Sequence, residues 1–170
     1  HLIKTIADEK LSIAVESRGA ISYYRGPYLG YNALQDGCET EKGLYINMFD
    51  ENLSVVESLK VEKGESALLL DIGETVKNAT QPVVLVAQGN HPTIVEYGDI
   101  TRIVTSGPEE TQGMVRIYVP EGYTVSAVSA VNNREEDILL KKAFDEASRT
   151  LLVVYTNTIH TCMVDVEYRK

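Results

Sequence analysis

The segment running from Ser22 to Asn32 reads Ser-Tyr-Tyr-Arg-Gly-Pro-Tyr-Leu-Gly-Tyr-Asn, and it holds four of the ten tyrosines of the chain. Flat rings that carry a hydroxyl suit the apolar faces of sugar rings. In that reading Tyr23, Tyr24, Tyr28 and Tyr31 stack on a glycan, while Arg25, Asn32, Gln35 and Asp36 hydrogen-bond its hydroxyls. The chain has no tryptophan, the ring most suited to such stacking. The competing reading is that the tyrosines cover one end of the fold or dock on a neighbouring domain. Just downstream, Asp36, Glu39 and Glu41 cluster in one polar loop. Ca²⁺ takes about six to eight hard oxygens from carboxylates and carbonyls, so this loop is a candidate calcium site, although it lacks the strict calcium-loop spacing. Its alternative is a solvated acidic rim. Calcium is the one cofactor the sequence raises.

Other chemistry finds less support. Two cysteines and three scattered histidines, His1, His91 and His160, fall at no zinc-ligand spacing. No serine or cysteine lies in a nucleophile-elbow pattern, and no Gly-rich phosphate loop occurs. A bridge between Cys38 and Cys162 would close a loop of about 125 residues and stabilise the fold by roughly 4–5 kcal/mol in the chain-entropy picture. Left unbridged, Cys162 is a small buried hydrophobe on the apolar face of a strand. Paired carboxylates could serve glycoside hydrolysis, but they would have to converge in a cleft about 5–10 Å apart.

Charge narrows the partners. Lys and Arg number 16 against 25 Asp and Glu, a formal net charge of −9 in 170 residues. Such a chain is a poor ligand for nucleic acid or an anionic membrane surface, both of which demand a cationic face. The longest apolar runs, Pro82–Ala87 and Leu151–Tyr155, fall far short of the ~18 residues of a membrane span, so no membrane insertion is expected.

The elements that must position these residues are strands. Apolar residues alternate with polar ones over Lys10–Glu16, Gly43–Asp50, Gly113–Pro120 and Cys162–Arg169, the period of half-buried antiparallel strands. Residues 2–7 also read as a strand. The short apolar runs Ala67–Leu70, Val83–Ala87 and Leu151–Tyr155 read as central strands covered on both faces. Turn residues punctuate them at Lys63-Gly64, Gly107–Glu110, Pro120–Gly122, Asn132-Asn133 and Asp145–Ser148, with a hairpin turn before His160. Helix is scarce. The pattern gives an all-β fold: one antiparallel two-sheet β-sandwich over residues 1–170, with about ten to twelve strands.

Two stretches carry a resemblance. One runs Gly43-Leu-Tyr-Ile-Asn-Met-Phe-Asp-Glu-Asn-Leu53 and resumes at Val61-Glu-Lys-Gly-Glu-Ser-Ala-Leu-Leu-Leu-Asp-Ile72. The other contains Gly113-Met-Val-Arg-Ile-Tyr-Val-Pro120 and Phe144-Asp-Glu-Ala-Ser-Arg-Thr-Leu-Leu-Val-Val-Tyr-Thr-Asn157. This half of the chain resembles the accessory, often C-terminal, β-sandwich modules of secreted bacterial polysaccharide-degrading enzymes. Their last hairpin has the same Asp-x-x-Ser-Arg-Thr-Leu form, a turn feeding a buried strand. The resemblance implies a non-catalytic module of an extracellular, cell-surface or periplasmic carbohydrate-active protein. Its partners would be a catalytic domain of the same polypeptide or a glycan. The start at His1 reads as a module excised from a larger chain or as a mature secreted protein. A surface adhesion or protein-interaction domain is the alternative in another class, with a small hydrolase behind it.

Overall fold

The computed structural model describes residues 20–34 and 37–170. The alternating stretches at 2–7 and 10–16, and with them Gln35 and Asp36, lie outside the described residues. Strands make up 54% of the described residues and helix 4%, which settles the all-β class. The chain divides into two compact units, His1–Lys77 and Asn78–Lys170.

In the first unit, β1 (Ala20–Arg25), β2 (Tyr28–Ala33), β7 (Ser66–Asp71), β4 (Tyr45–Asn47) and β5 (Val55–Val56) form one antiparallel sheet in that spatial order. A two-stranded ribbon, β3 (Cys38–Glu39) with β6 (Lys60–Val61), contributes to the core formed with one face of this sheet. That core gathers Leu29, Tyr31, Tyr45, Val61, Ala67 and Leu69. The run 67–70 is central, as expected: β7 sits between β2 and β4, and Ala67, Leu69 and Leu70 are buried from its two faces. A short helix, α1 (Gly73–Asn78), follows it. The Asp71 carboxylate accepts the Gly73 amide at 2.9 Å, satisfying one of the amides a helix start leaves unpaired.

The second unit is a sandwich of two four-stranded antiparallel sheets. One runs β13 (Leu140–Asp145), β14 (Thr150–Thr156), β11 (Gln112–Tyr118), β8 (Val83–Ala87). The other runs β12 (Thr124–Asn132), β15 (Cys162–Arg169), β10 (Ile100–Thr105), β9 (Thr93–Tyr97). The period of two sends Val115 and Ile117 inward opposite Val153 and Leu151. On the facing sheet Val164 lies between Ile103 and Ala130. Val115, Ile117, Val153, Ile103, Val164 and Val166 are fully buried. Each contributes about 1.5–3 kcal/mol of burial. A slip of one residue in β15 would turn Met163 and Asp165 inward, so the register is strongly fixed.

The structure differs from the sequence reading in four places. Of the alternating stretch Gly43–Asp50 only Tyr45–Asn47 is strand, with Tyr45 and Ile46 both buried. Fifteen strands occur among the described residues instead of ten to twelve. The surplus includes β3, β5 and β6, two residues each, too short to show any alternation. Among the described residues Val83–Ala87 is an edge strand paired only with β11, and most of it is half-buried. An edge strand beside a packed core carries as many apolar residues as a central one, so composition does not distinguish them. The turn before His160 is not a hairpin turn, because β14 and β15 belong to different sheets and the connection crosses between them. By contrast, Asp145–Ser148 does turn into a buried strand. Asp145 accepts the Ala147 amide at 3.0 Å and the Ser148 hydroxyl at 2.6 Å. The Ser148 hydrogen bond is the main cause that holds the Asp145 carboxyl below the usual carboxylate range.

Candidate functional site

The tyrosine-rich segment is the β1–β2 hairpin. Gly26, with φ of +57°, and Pro27 form its two-residue turn, matching the demand of a type II′ turn for glycine at its first central position. Arg25 then lies opposite Tyr28, Tyr23 opposite Gly30, and Ser22 opposite Tyr31. Residues opposite one another share a face, and neighbours along a strand do not.

The pleat therefore divides the tyrosines. Tyr23, Arg25 and Tyr28 stand on one face, where the two rings are 42% and 41% exposed. Tyr24 and Tyr31 stand on the other, where Tyr31 belongs to the core and Tyr24 packs against it. The Tyr23 ring lies directly over Gly30: a Cβ placed there would fall 1.9 Å from the ring. The glycine thus allows an aromatic ring to lie flat on the sheet and leaves its outer face open. The adjacency of Tyr23 and Tyr24 in a strand already required this split.

The inward pair lines a pocket of about 130 Å³ together with Ser22, Cys38, Glu39 and Glu41. The β3–β6 ribbon brings the acidic loop there, with Cys38 opposite Val61 and Glu39 opposite Lys60. Glu39 accepts the Ser58 hydroxyl at 3.2 Å. The structure thus gathers four of the expected site residues, Tyr24, Tyr31, Glu39 and Glu41, and adds Cys38, which the sequence reading set apart. Asp36, common to the glycan and calcium readings, lies outside the described residues. Among those described, no group of three or more His, Cys, Asp and Glu is placed to hold a metal ion.

The pocket sets the tyrosine hydroxyls and the Cys38 thiol beside the carboxylates of Glu39 and Glu41. Burial, with a contribution from the neighbouring Tyr24 hydroxyl, pushes the Tyr31 hydroxyl well above its usual value. Burial raises Tyr45 too, ahead of the charges of Asp71 and Glu41. Desolvation likewise pushes the Cys38 thiol up, which leaves little thiolate at neutral pH and a weak nucleophile. Both cysteines are free.

A larger groove, about 490 Å³, lies in the second unit between the start of β12 and the β13–β14 hairpin. Tyr123, Lys142, Phe144 and Arg149 line it. Sequence reading passed over these residues because they are scattered and ordinary in type. One signal was present: Lys142 falls in phase with Leu140 and Phe144, at a position where alternation calls for an apolar residue.

The fold and these surfaces define an all-β protein with a sandwich unit and ring-bearing surfaces. Comparison with protein-family models, with curated proteins and with solved structures finds no match. No helix among the described residues is long and apolar enough to cross a membrane.

Proposed function

We propose that the chain is a non-catalytic accessory module of an extracellular, cell-surface or periplasmic carbohydrate-active protein, touching glycan through the outer face of the β1–β2 hairpin. The observation that carries this is the pair of half-exposed rings, Tyr23 and Tyr28, on one sheet face with Arg25 directly opposite Tyr28. Rings held on a rigid hairpin offer stacking area at low entropic cost, and the guanidinium offers donors to sugar hydroxyls. A binding role is favoured over hydrolysis by size. The pocket holding Glu39 and Glu41, at about 130 Å³, is smaller than the roughly 300–1,000 Å³ of small-molecule sites. The two free thiols are poorly reactive, since Cys162 is fully buried and burial raises the Cys38 thiol.

Neutral oligosaccharides are expected to bind the protein in affinity gels, and Tyr28→Ala with Arg25→Ala to weaken them about 10-fold or more, as the loss of one stack and one charged donor requires. Both side chains are exposed, so the thermal unfolding midpoint should stay unchanged. Undiminished retention of the double variant would remove the hairpin as the binding face.

A second reading, a protein-interaction domain, is favoured by β9. Every residue of this edge strand is exposed, Ile94, Val95 and Tyr97 among them. Its outer edge offers unpaired backbone groups to a partner strand. Val95→Lys should abolish any self-association seen by sedimentation while leaving glycan retention intact.

A further inference from the structure

The groove of the second unit arises from how the sandwich closes. At one end its two edge strands are joined: Val131 bridges Asp137, and the Ile138 amide donates to the Ala130 carbonyl at 2.8 Å. The Asn132 side chain fixes that end, accepting the Arg134 and Glu136 amides at 2.9 and 3.0 Å and donating to the Glu136 carboxylate at 2.7 Å. Toward the other end the edges separate. A register shift between Val125 and Ala127 breaks the β12 ladder, as bulges beside binding sites do. Arg149 holds the far wall in place, donating to the Val119, Pro120 and Tyr123 carbonyls at 3.0, 3.3 and 3.2 Å.

Between the separated edges stand two rings, each with a cation over it. Arg149 lies 5.7 Å from the centre of the Phe144 ring, and Lys170 lies 5.5 Å from the centre of the Tyr123 ring. Lys142 projects from the core-facing side of β13, opposite Val153, and makes no ion pair among the described residues. Of the charged residues lining the groove, Lys142 and Arg149 are cationic and Glu146 is anionic, and Lys170 sits over the Tyr123 ring beside them. In a chain of net charge −9, this is a local reversal of sign around an apolar floor of Val125, Phe144 and Leu151.

We infer that this groove binds an acidic saccharide, with sugar rings lying on Phe144 and Tyr123 and a uronate carboxylate received by Lys142. The inference rests on the carbohydrate reading above but assigns a different site and a different ligand class. The volume, about 490 Å³, falls within the range of small-molecule sites of about 300–1,000 Å³. Charge complementarity selects the acidic ligand, and the two aromatic rings suit the apolar faces of sugar rings, with an acidic hexapeptide testing the competing extended ligand.

The test is calorimetric titration of the whole chain with trigalacturonate, with neutral trigalactose and with an acidic hexapeptide. Trigalacturonate is expected to bind, more weakly as salt rises. Lys142→Gln should cost about 10-fold and Phe144→Ala about 3- to 10-fold, with no loss in Tyr28→Ala. Both groove side chains are exposed, and unchanged thermal midpoints would show that the variants fold. Binding of trigalactose at the hairpin, with no acidic sugar bound or with trigalacturonate unaffected by either groove variant, would overturn this inference and leave the proposed function standing. Peptide binding lost in Lys142→Gln, with no saccharide bound at all, would overturn both.

Discussion

Raising the pH from about 9 to about 12 should cost the sandwich unit roughly 5 kcal/mol, through two tyrosines alone. Tyr155 is 1% and Tyr168 6% exposed. Burial, the leading cause for each, pushes both hydroxyls up to about 12. The Cys162 charge adds to the effect at Tyr155 and that of Glu96 at Tyr168, while the Thr105 and Thr101 hydroxyls oppose it. A tyrosine in an unfolded chain loses its proton near pH 10. The folded state thus prefers the protonated form, and its advantage is complete below about pH 10. It disappears progressively as the pH approaches about 12. Whole domains are stable by only about 5–15 kcal/mol, so this loss is a large fraction of the unit's stability. Urea midpoints measured across the alkaline range, with tyrosinate absorbance recorded alongside, provide the readout. Combining Tyr155→Phe with Tyr168→Phe should flatten the decline. A midpoint that stays level to pH 11 in the native sequence contradicts the prediction.

Gly113→Ala is expected to be strongly damaging for a substitution that adds one methyl group. Gly113 lies opposite Tyr155 across β11 and β14, and a Cβ there would fall 2.4 Å from the ring. That ring is packed among fully buried neighbours and has nowhere to move. Overpacking of this kind costs about 3 kcal/mol, a drop of about 12–24 °C in the unfolding midpoint for a unit of this size. Gly30→Ala tests the explanation. Its Cβ would meet the Tyr23 ring even more closely, yet Tyr23 is 42% exposed and can swing into water. The cost there should stay below about 1 kcal/mol. Equal losses at the two sites would mean that strand backbone preference, rather than the ring overhead, makes these glycines necessary.

Much of the local structure was legible. Alternation along Gly113–Pro120 and Cys162–Arg169 named the inward faces of β11 and β15 residue by residue, because a pleated strand has only two sides. Asp145–Ser148 was readable as a turn because an aspartate can accept the amide two residues on. The hairpin around Gly26-Pro27 had its turn chemistry in plain view, and two adjacent tyrosines in a strand must part to opposite faces. Applying that rule to Tyr23 and Tyr24 separates the two rings without coordinates, while the structure decides which of them faces outward.

What the sequence by itself determined, then, is the all-β class, the phase of its longer strands and where several turns fall. All three follow from short-range geometry: the two-residue repeat of the pleat and the φ values that glycine, proline and aspartate permit. Only the tertiary structure decided which strands are edges, that β14 and β15 separate into different sheets, and that Cys38 meets Tyr24 and Tyr31. It alone placed Tyr123 and Val125 across a groove from Lys142 and Phe144. Strand partnership is chosen by burial summed over the whole unit, and apolar strands of equal period compete for every place in a sheet. No single stretch of chain records the outcome of that competition.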